Sequence, residues 1–514
     1  MPAGASRTSL LLACLLVAAL TVIRVGVVFL TPAELYPDEA QYWLWSRELA
    51  GGYYSKPPMV AWLIAASTAL GGDAEGWIRL PAALAHGVAA LAVGATAARL
   101  YGGWTGLLAA ALYSLMPGVQ LSAALMTTDA PLLMFLALAL LAYVSLWQAG
   151  SARSRRFAAA GFGVALGLAC LSKYAALYMV VGAVAHALAA PGARRAWGPA
   201  TLALAAAGFA LAMAPNLAWN AAHGFSTVGH TAANANWAGD LFNAEELADF
   251  VGGQLGLFGP VPFGVLAAGI GAAALARRRL VAEDALLLAF VLPPLLMVAA
   301  QAFVSRANAN WAAAAYVPGS ALVAAWLLRR RARGLIVAAL GSQAVIAGLF
   351  VAAAVSPAAA DAIGLDNALK RTRGWAALTR EIEQAMTREA WTAVAVDDRF
   401  LFNALAYYGR DAFARGDAPP LVMWVREAVP QNQAETEAPL RPRQAGRVLV
   451  ASLVPDYRGE MTRDFRAWRP AGVISVRLDA ERTREAALFE ASGYARAPRD
   501  RRTGLPVSAA STAP

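Results

Sequence analysis

The stretch PDEAQYWLWSRELAGGYYSKPP (37–58) holds two adjacent acids, Asp38 and Glu39, and a lysine, Lys56, set against a double proline. A carboxylate can take a proton from an attacking hydroxyl, a role worth about 10² to 10⁴ in rate. An ammonium is a compact point charge suited to a phosphate oxygen, whereas guanidinium is a planar fork. Lysine occurs only at 56, 173 and 370 in a chain that otherwise uses arginine, so Lys56 and Lys173 stand out. Asp129, in TTDAP, adds a carboxylate, Arg24 and Arg306 add cations, and His223 and His230 add imidazoles. Each also has an ordinary use. Asp38 and Glu39 follow Pro37 and suit the positive end of a helix from about 37 to 49. Asp129 suits a helix cap before Pro131, Lys56 and Arg306 can snorkel to headgroups, and the histidines can be plain loop residues.

The elements that must position these groups are apolar. The 514 residues are 59% hydrophobic and only 15% charged, with mean hydropathy +0.50, which excludes an ordinary soluble domain. The run SLLLACLLVAALTVIRVGVVFL (9–30) is long enough to cross a bilayer and too long for a signal-peptide core. Cys14 and Cys170 both lie in apolar runs, which argues against a disulfide framework or thiolate metal site. The net charge of +10 comes largely from short arginine clusters: Arg153, Arg155 and Arg156; Arg194 and Arg195; Arg277 to Arg279; Arg329, Arg330, Arg331 and Arg333. They fall at every second turn of the chain, the pattern of cytoplasmic loops. The charge therefore reports topology, and nucleic acid drops out as a partner.

Apolar runs between those loops predict about eleven spans, near 8–30, 80–99, 104–122, 131–148, 157–171, 174–191, 198–215, 250–276, 284–304, 311–328 and 334–355. The segment 59–70 is too short to span and reads as re-entrant or interfacial. This gives a membrane domain over 1–355 with external loops 31–79 and 216–249. After 356 charged residues become frequent and β-type runs appear: WTAVAV (391–396), LVMWV (421–425), RVLVASLV (447–454) and VISVRL (473–478). With DRFLFNALAYYG (398–409) as an amphipathic helix, they predict an external, periplasmic α/β domain over 356–497. The remainder, 498–514, has the composition of a disordered tail.

On this topology Asp38, Glu39, Lys56, Asp129, Lys173, His223, His230 and Arg306 all fall at one membrane face, where gathered polar groups mark a site. Arg24, in the outer third of the first span, costs about 2 kcal/mol or more unless it meets an anion or the interface. A sugar on a polyprenyl phosphate fits such a set. Its tail lies among the spans, its phosphate meets cations, and Lys56 would stabilise the charge that develops on the leaving phosphate. Membrane lipids and a lipid or glycan acceptor are the other expected partners. The aromatics between Gln41 and Leu49 read as interfacial anchors.

PDEAQYWLWSRELAGGYYSKPPMVAWLI resembles the first external loop of bacterial GT-C glycosyltransferases related to protein O-mannosyltransferases, including aminoarabinose and galacturonic acid transferases that modify lipopolysaccharide. TTDAPLL (127–133), GLACLSKYAALY (167–178), PNLAWN (215–220), NANWAAAAY (308–316), LKRTRGW (369–375) and PQNQAE (430–435) carry the resemblance along nearly the whole chain. It implies a GT-C fold of about eleven transmembrane helices and an inverting inner-membrane enzyme that uses a polyprenyl-phosphate-linked sugar. It implies Asp38 as the acceptor-activating or orienting acid, with Glu39 and Asp129 completing the acidic set. Lys56, Lys173, Arg306 and Arg24 are then donor-phosphate contacts, and Tyr42, Tyr54, Asn310 and Trp311 line the cavity. A glutamate that commonly precedes the K-P-P lysine in the aminoarabinose branch is Ser55 here, which weakens a metal site. A divalent metal stays open, with His223 and His230 as its weak candidate ligands, and no other cofactor is expected. The alternatives are a protein O-mannosyltransferase-like enzyme, a flippase for the same lipids, and a receptor-like external domain on a membrane anchor. A flippase is expected to show internal repeats, and none is visible.

Overall fold

The structure is a computed structural model that describes residues 3–233, 241–275, 280–444, 446–500 and 503–506. The Arg277 to Arg279 loop and most of the tail expected at 498–514 lie outside the described residues. Contacts divide the chain into two compact units, Met1–Thr31 with Leu49–Pro357 and Pro32–Glu48 with Ala358–Pro514. The stretch expected as one external loop, 31–79, is thus shared between them.

The first unit is helical. Its order is α1 (Ala3–Leu30), then, after the second unit's α2 (Pro37–Arg47), α3 (Met59–Gly71), α4 (Glu75–Tyr101), α5 (Gly103–Leu115), α6 (Pro117–Ala124), α7 (Asp129–Trp147), α8 (Ala152–Ser172) and α9 (Tyr178–Ala189). It continues through α10 (Pro191–Ala196), α11 (Pro199–Ala222), α12 (Ser226–Ala233), α13 (Ala244–Phe258), α14 (Pro260–Leu275), α15 (Ala282–Val304), α16 (Tyr316–Arg329) and α17 (Arg333–Val355). Among the described residues eight helices are long and apolar enough to cross a membrane, or up to ten if each of two bent pairs is one span. The protein is a multi-pass membrane protein. Two expected spans are not straight: 104–122 bends by 58° between α5 and α6, and 250–276 turns by 120° between α13 and α14. Each break falls where a proline opens the next helix, since proline cannot donate to the preceding turn and clashes with its carbonyls. The segment at 174–191 opens as a 3₁₀ turn, Tyr174–Leu177, and α3 is too short to span.

Close approach between helices depends on small side chains. A Cβ at Gly163 of α8 would lie 2.0 Å from the Ala205 carbonyl oxygen of α11. At the far end of α4, Asp284 of α15 accepts two bonds from Arg329 (2.7 and 2.8 Å), one from Tyr101 (2.9 Å) and one from Trp326 (2.9 Å). Arg329, read from the sequence as a topology signal, is therefore also a tie between α15 and α16.

The second unit is a five-stranded sheet of order β2-β1-β3-β5-β4, with β1 (Ala393–Val396), β2 (Leu421–Met423), β3 (Arg447–Ser452), β4 (Ala467–Arg477) and β5 (Thr483–Ser492). β1 runs parallel to β2 and β3; β5 is antiparallel to β3 and β4. The helices Trp375–Thr387 and Arg399–Tyr408 pack Leu378, Ile382, Leu401 and Leu405 on Val394, Val396, Leu449 and Ala451. The opposite face, Ala393, Ala395, Val448 and Val450, meets Met461 and Phe465. β5 was not legible in advance: TREAALFEAS is rich in helix formers, and pairing on both edges overrides that propensity.

The stretch before and through α2 is sewn into this unit. Glu34 N–H donates to the Thr372 carbonyl (2.9 Å), Leu35 N–H to the Tyr408 hydroxyl (2.7 Å), and Glu34 accepts from the N–H groups of Trp375 and Ala376. Trp43 meets Tyr407 edge to face at 5.0 Å. Trp43 is therefore packed in the second unit and corrects the expectation of an interfacial anchor at that position, and Tyr42 and Trp45 are buried as well. The physical reason is that α2 lies along Arg399–Tyr408, whose apolar face needs a cover.

Candidate active site

Asp38 sits in the first turn of α2, after Pro37, where the helix favours negative charge. Glu39 supplies the cap: its Oε2 accepts from the Tyr36 N–H at 2.9 Å, and its side chain is fully buried. Asp38 points elsewhere. Its Oδ1 accepts from Arg399 Nη1 at 3.1 Å, and the same nitrogen donates to Gln41 Oε1 at 3.0 Å. The two charged side chains keep 36% and 37% exposure, and Asp38 Oδ2 accepts no bond from any described residue. The result is a carboxylate fixed at one oxygen and open at the other. Arg399 is aimed by its own helix, which Asp398 caps through the N–H groups of Phe400 (2.8 Å) and Leu401 (3.0 Å). Next to that cap, Asp397 accepts from Ser452 Oγ (2.7 Å) and Leu453 N–H (2.9 Å), and burial pushes its carboxyl up to about 6.

In the first unit, Lys56 ends a turn closed by Tyr53 N–H on its carbonyl (3.0 Å). The turn is shaped by the PNLAWN motif of α11. Asn216 donates to the Gly51 carbonyl (2.8 Å), Tyr174 donates to Asn216 (2.7 Å), and Thr227 donates to the Tyr53 carbonyl (2.6 Å). Gly51 and Gly52 are required by this approach: added Cβ atoms would lie 2.3 Å from the Pro215 oxygen and 2.7 Å from the Trp219 ring.

Asp129 opens α7 and is held at both oxygens. Lys173 Nζ donates to Oδ1 at 2.8 Å and Asn310 Nδ2 to Oδ2 at 2.7 Å, with side-chain exposures of 23% for Lys173 and 14% for Asp129. The structure thus brings together Asp129, Lys173 and Asn310, in the same unit as Lys56. Trp311, on the same 3₁₀ turn as Asn310, packs against Phe250 and Val298. Arg24 is buried and donates Nη2 to the Ser114 carbonyl, which Gln120 Nε2 also reaches (2.6 Å). The break before Pro117 leaves that last-turn carbonyl without a helical donor, so Arg24 satisfies a helix end. Arg306 is exposed, and its guanidinium meets no described hydrogen-bond partner.

Tyr54 meets His230 edge to face at 5.8 Å. His223 stacks on Trp219 at 4.1 Å with its Nδ1 2.8 Å from the Trp219 carbonyl. Among the described residues no three His, Cys, Asp or Glu side chains converge as metal donors. Sequence reading missed Arg399, Arg371, Asn216 and Tyr174. Three motifs already quoted, GLACLSKYAALY, PNLAWN and LKRTRGW, contained part of that signal; Arg399 was hidden in a helix read only for its apolar face.

The chain is similar to several known proteins. Residues 55–219 match the family described as dolichyl-phosphate-mannose-protein mannosyltransferase. The chain is 36% identical over 444 residues to the lipid A galacturonosyltransferase RgtD of Rhizobium johnstonii, covering 85% of this chain and 89% of that protein. Its fold is similar to that of ArnT from Cupriavidus metallidurans bound to undecaprenyl phosphate, with TM-score 0.63 at 17% identity over 93% of this chain and 97% of that one. It is also similar to the mycobacterial arabinofuranosyltransferase AftD, with TM-score 0.53 at 13% identity over 93% of this chain and 40% of that one.

Proposed function

The chain belongs to the membrane glycosyltransferase family of lipid A galacturonosyltransferase RgtD, and from that premise we propose that it transfers a sugar from a polyprenyl-phosphate donor to lipid A or a related envelope glycolipid. The site is on the periplasmic face of the inner membrane. The observation that carries the mechanism is Asp38, held through Oδ1 by Arg399 and open at Oδ2. In the reaction an acceptor hydroxyl attacks the anomeric carbon as the bond from that carbon to the phosphate oxygen breaks. The hydroxyl proton passes to Asp38, and the polyprenyl phosphate leaves with the bonding electrons. Lys56 stabilises the charge that grows on the leaving phosphate, and Arg306 is a second cation for it. Lys173, tied to Asp129, and Asn310 hold the Lys56 region in shape. Glu39 holds the first turn of α2, so Asp38 and not Glu39 carries the proton. Where the acceptor is itself a phosphate, no base is needed and Asp38 orients it.

The match of residues 55–219 to a protein mannosyltransferase description supports a second acceptor class, a protein hydroxyl. Mass spectrometry of envelope lipids and glycoproteins from cells with and without the gene separates the two. Loss of a sugar from lipid A supports the main reading. Loss from a protein with unchanged lipids replaces it with the second, and no change in either sinks both.

A further inference from the structure

Around α2 the second unit carries two guanidinium groups whose hydrogen-bonding forks are only partly used. Arg371 and Arg399 both meet the Phe400 ring, their guanidinium carbons 5.9 and 4.4 Å from its centroid. Arg371 gives Nη1 to the neutral Tyr36 hydroxyl at 2.7 Å. Arg399 gives only Nη1 to Asp38 and Gln41, so the Nε and Nη2 fork of each arginine has no partner among the described residues. The neighbouring carboxylates make their hydrogen bonds to backbone N–H groups and not to these forks: Asp398 caps its own helix, and Glu34 accepts from the N–H groups of Trp375 and Ala376. A third guanidinium, Arg484, lies on Trp375 at 3.5 Å and donates to the Lys370 carbonyl. Arg373, from the same LKRTRGW motif, is neutralised by Asp361 at 2.8 Å, which leaves Arg371 as the arginine of the motif that presents an open fork beside Asp38's partner.

Two open guanidinium forks over one ring match an oxyanion that accepts paired hydrogen bonds. We propose that Arg371 and Arg399 form a recognition site for an oxyanion of the substrate, a carboxylate or a phosphate ester. This rests on the transferase reading above and adds a specificity site to it. The anion has two sources: the carboxylate of a uronic acid on the donor, or a phosphate on the lipid acceptor. Either would be gripped next to the acid that activates the acceptor, so the site selects for charged substrate rather than driving bond cleavage.

The test uses the purified full-length enzyme with polyprenyl-phosphate galacturonic acid or galactose as donor, and lipid A or dephosphorylated lipid A as acceptor. Arg371→Gln should raise KM for the charged substrate about ten- to a hundredfold with kcat within about twofold, and Arg371→Lys should recover part of the loss. A rise for the galacturonic acid donor but not galactose assigns the sugar carboxylate; a rise for lipid A but not its dephosphorylated form assigns the acceptor phosphate. Arg373→Gln, in the same segment, should change neither, and melting temperatures report whether each variant is folded. If Arg371→Gln and Arg399→Gln leave every KM within about twofold while the wild type turns over, the site is overturned and the transferase reading stands. If the wild type turns over no donor, that reading fails, and calorimetric titration with galacturonate and inorganic phosphate still decides the site: binding lost in Arg371→Gln supports it, and binding absent or unchanged overturns it.

Discussion

Asp129 in the membrane unit and Asp38 in the second unit are both acids in the first turn of a helix next to a proline, and their surroundings differ in kind. Asp129 has both oxygens held, by Lys173 at 2.8 Å and Asn310 at 2.7 Å, and keeps 14% of its exposure. Asp38 has one oxygen held and the other open, at 36% exposure. A carboxylate held at both oxygens ties elements together, and losing its cation leaves an uncompensated charge. A carboxylate fixed at one oxygen has its direction set and keeps a lone pair for a proton. On the proposed mechanism the first is a positioning acid and the second the proton acceptor.

The comparison breaks most visibly at Lys173. Lys173→Met should destabilise the chain by about 3–5 kcal/mol, because Asp129 is then left without its cation. The double variant with Asp129→Asn should recover most of that in thermal unfolding; equal loss in both would mean the pair is not what holds α7 there. Lys56→Ala should come next, weakening donor affinity by about 1.5–3 kcal/mol with acceptor KM little changed, measured by donor titration. The reverse pattern would remove Lys56 from the phosphate. Gly52→Ala should act in the same direction but less, about 1–3 kcal/mol, since its Cβ would meet Trp219 at 2.7 Å and Asn216 at 2.8 Å. A donor KM equal to wild type would show that this turn does not need the close approach.

The smallest expected effect is a slope. Burial raises the Asp397 carboxyl to about 6, so above the ordinary carboxylate range the folded chain keeps a proton that the unfolded chain has released. Stability from this group is present at low pH, falls as pH rises toward about 6, and is level above it. Asp397→Asn should flatten that part of the melting-temperature profile between pH 4 and 7. Coincident wild-type and variant slopes would contradict the assignment.

Much of the membrane unit was legible because bilayer length and arginine placement act on every residue of a span. The bends at Pro117 and Pro260 were weaker signals, since a proline inside an apolar run does not say whether the helix turns. Lys56 and Asp129 could be picked out by rarity and motif. The bond from Asn310 to Asp129 could not, because it spans 181 residues of sequence. Arg399 is the sharpest case. It meets Asp38 across 361 positions, and its neighbours spell an amphipathic helix whose apolar face dominates the pattern. The membership of Pro32–Glu48 in the second unit was hidden for the same reason: Glu34 and Leu35 pair with Thr372 and Tyr408, and no local periodicity encodes such bonds.

The account depends most on Asp38. Single-turnover transfer from a polyprenyl-phosphate sugar to lipid A by the purified full-length enzyme, compared with Asp38→Asn, tests it directly. The expected result is a rate reduced by about 10² to 10⁴, with donor affinity and melting temperature unchanged. A variant that transfers sugar at the wild-type rate would contradict the account.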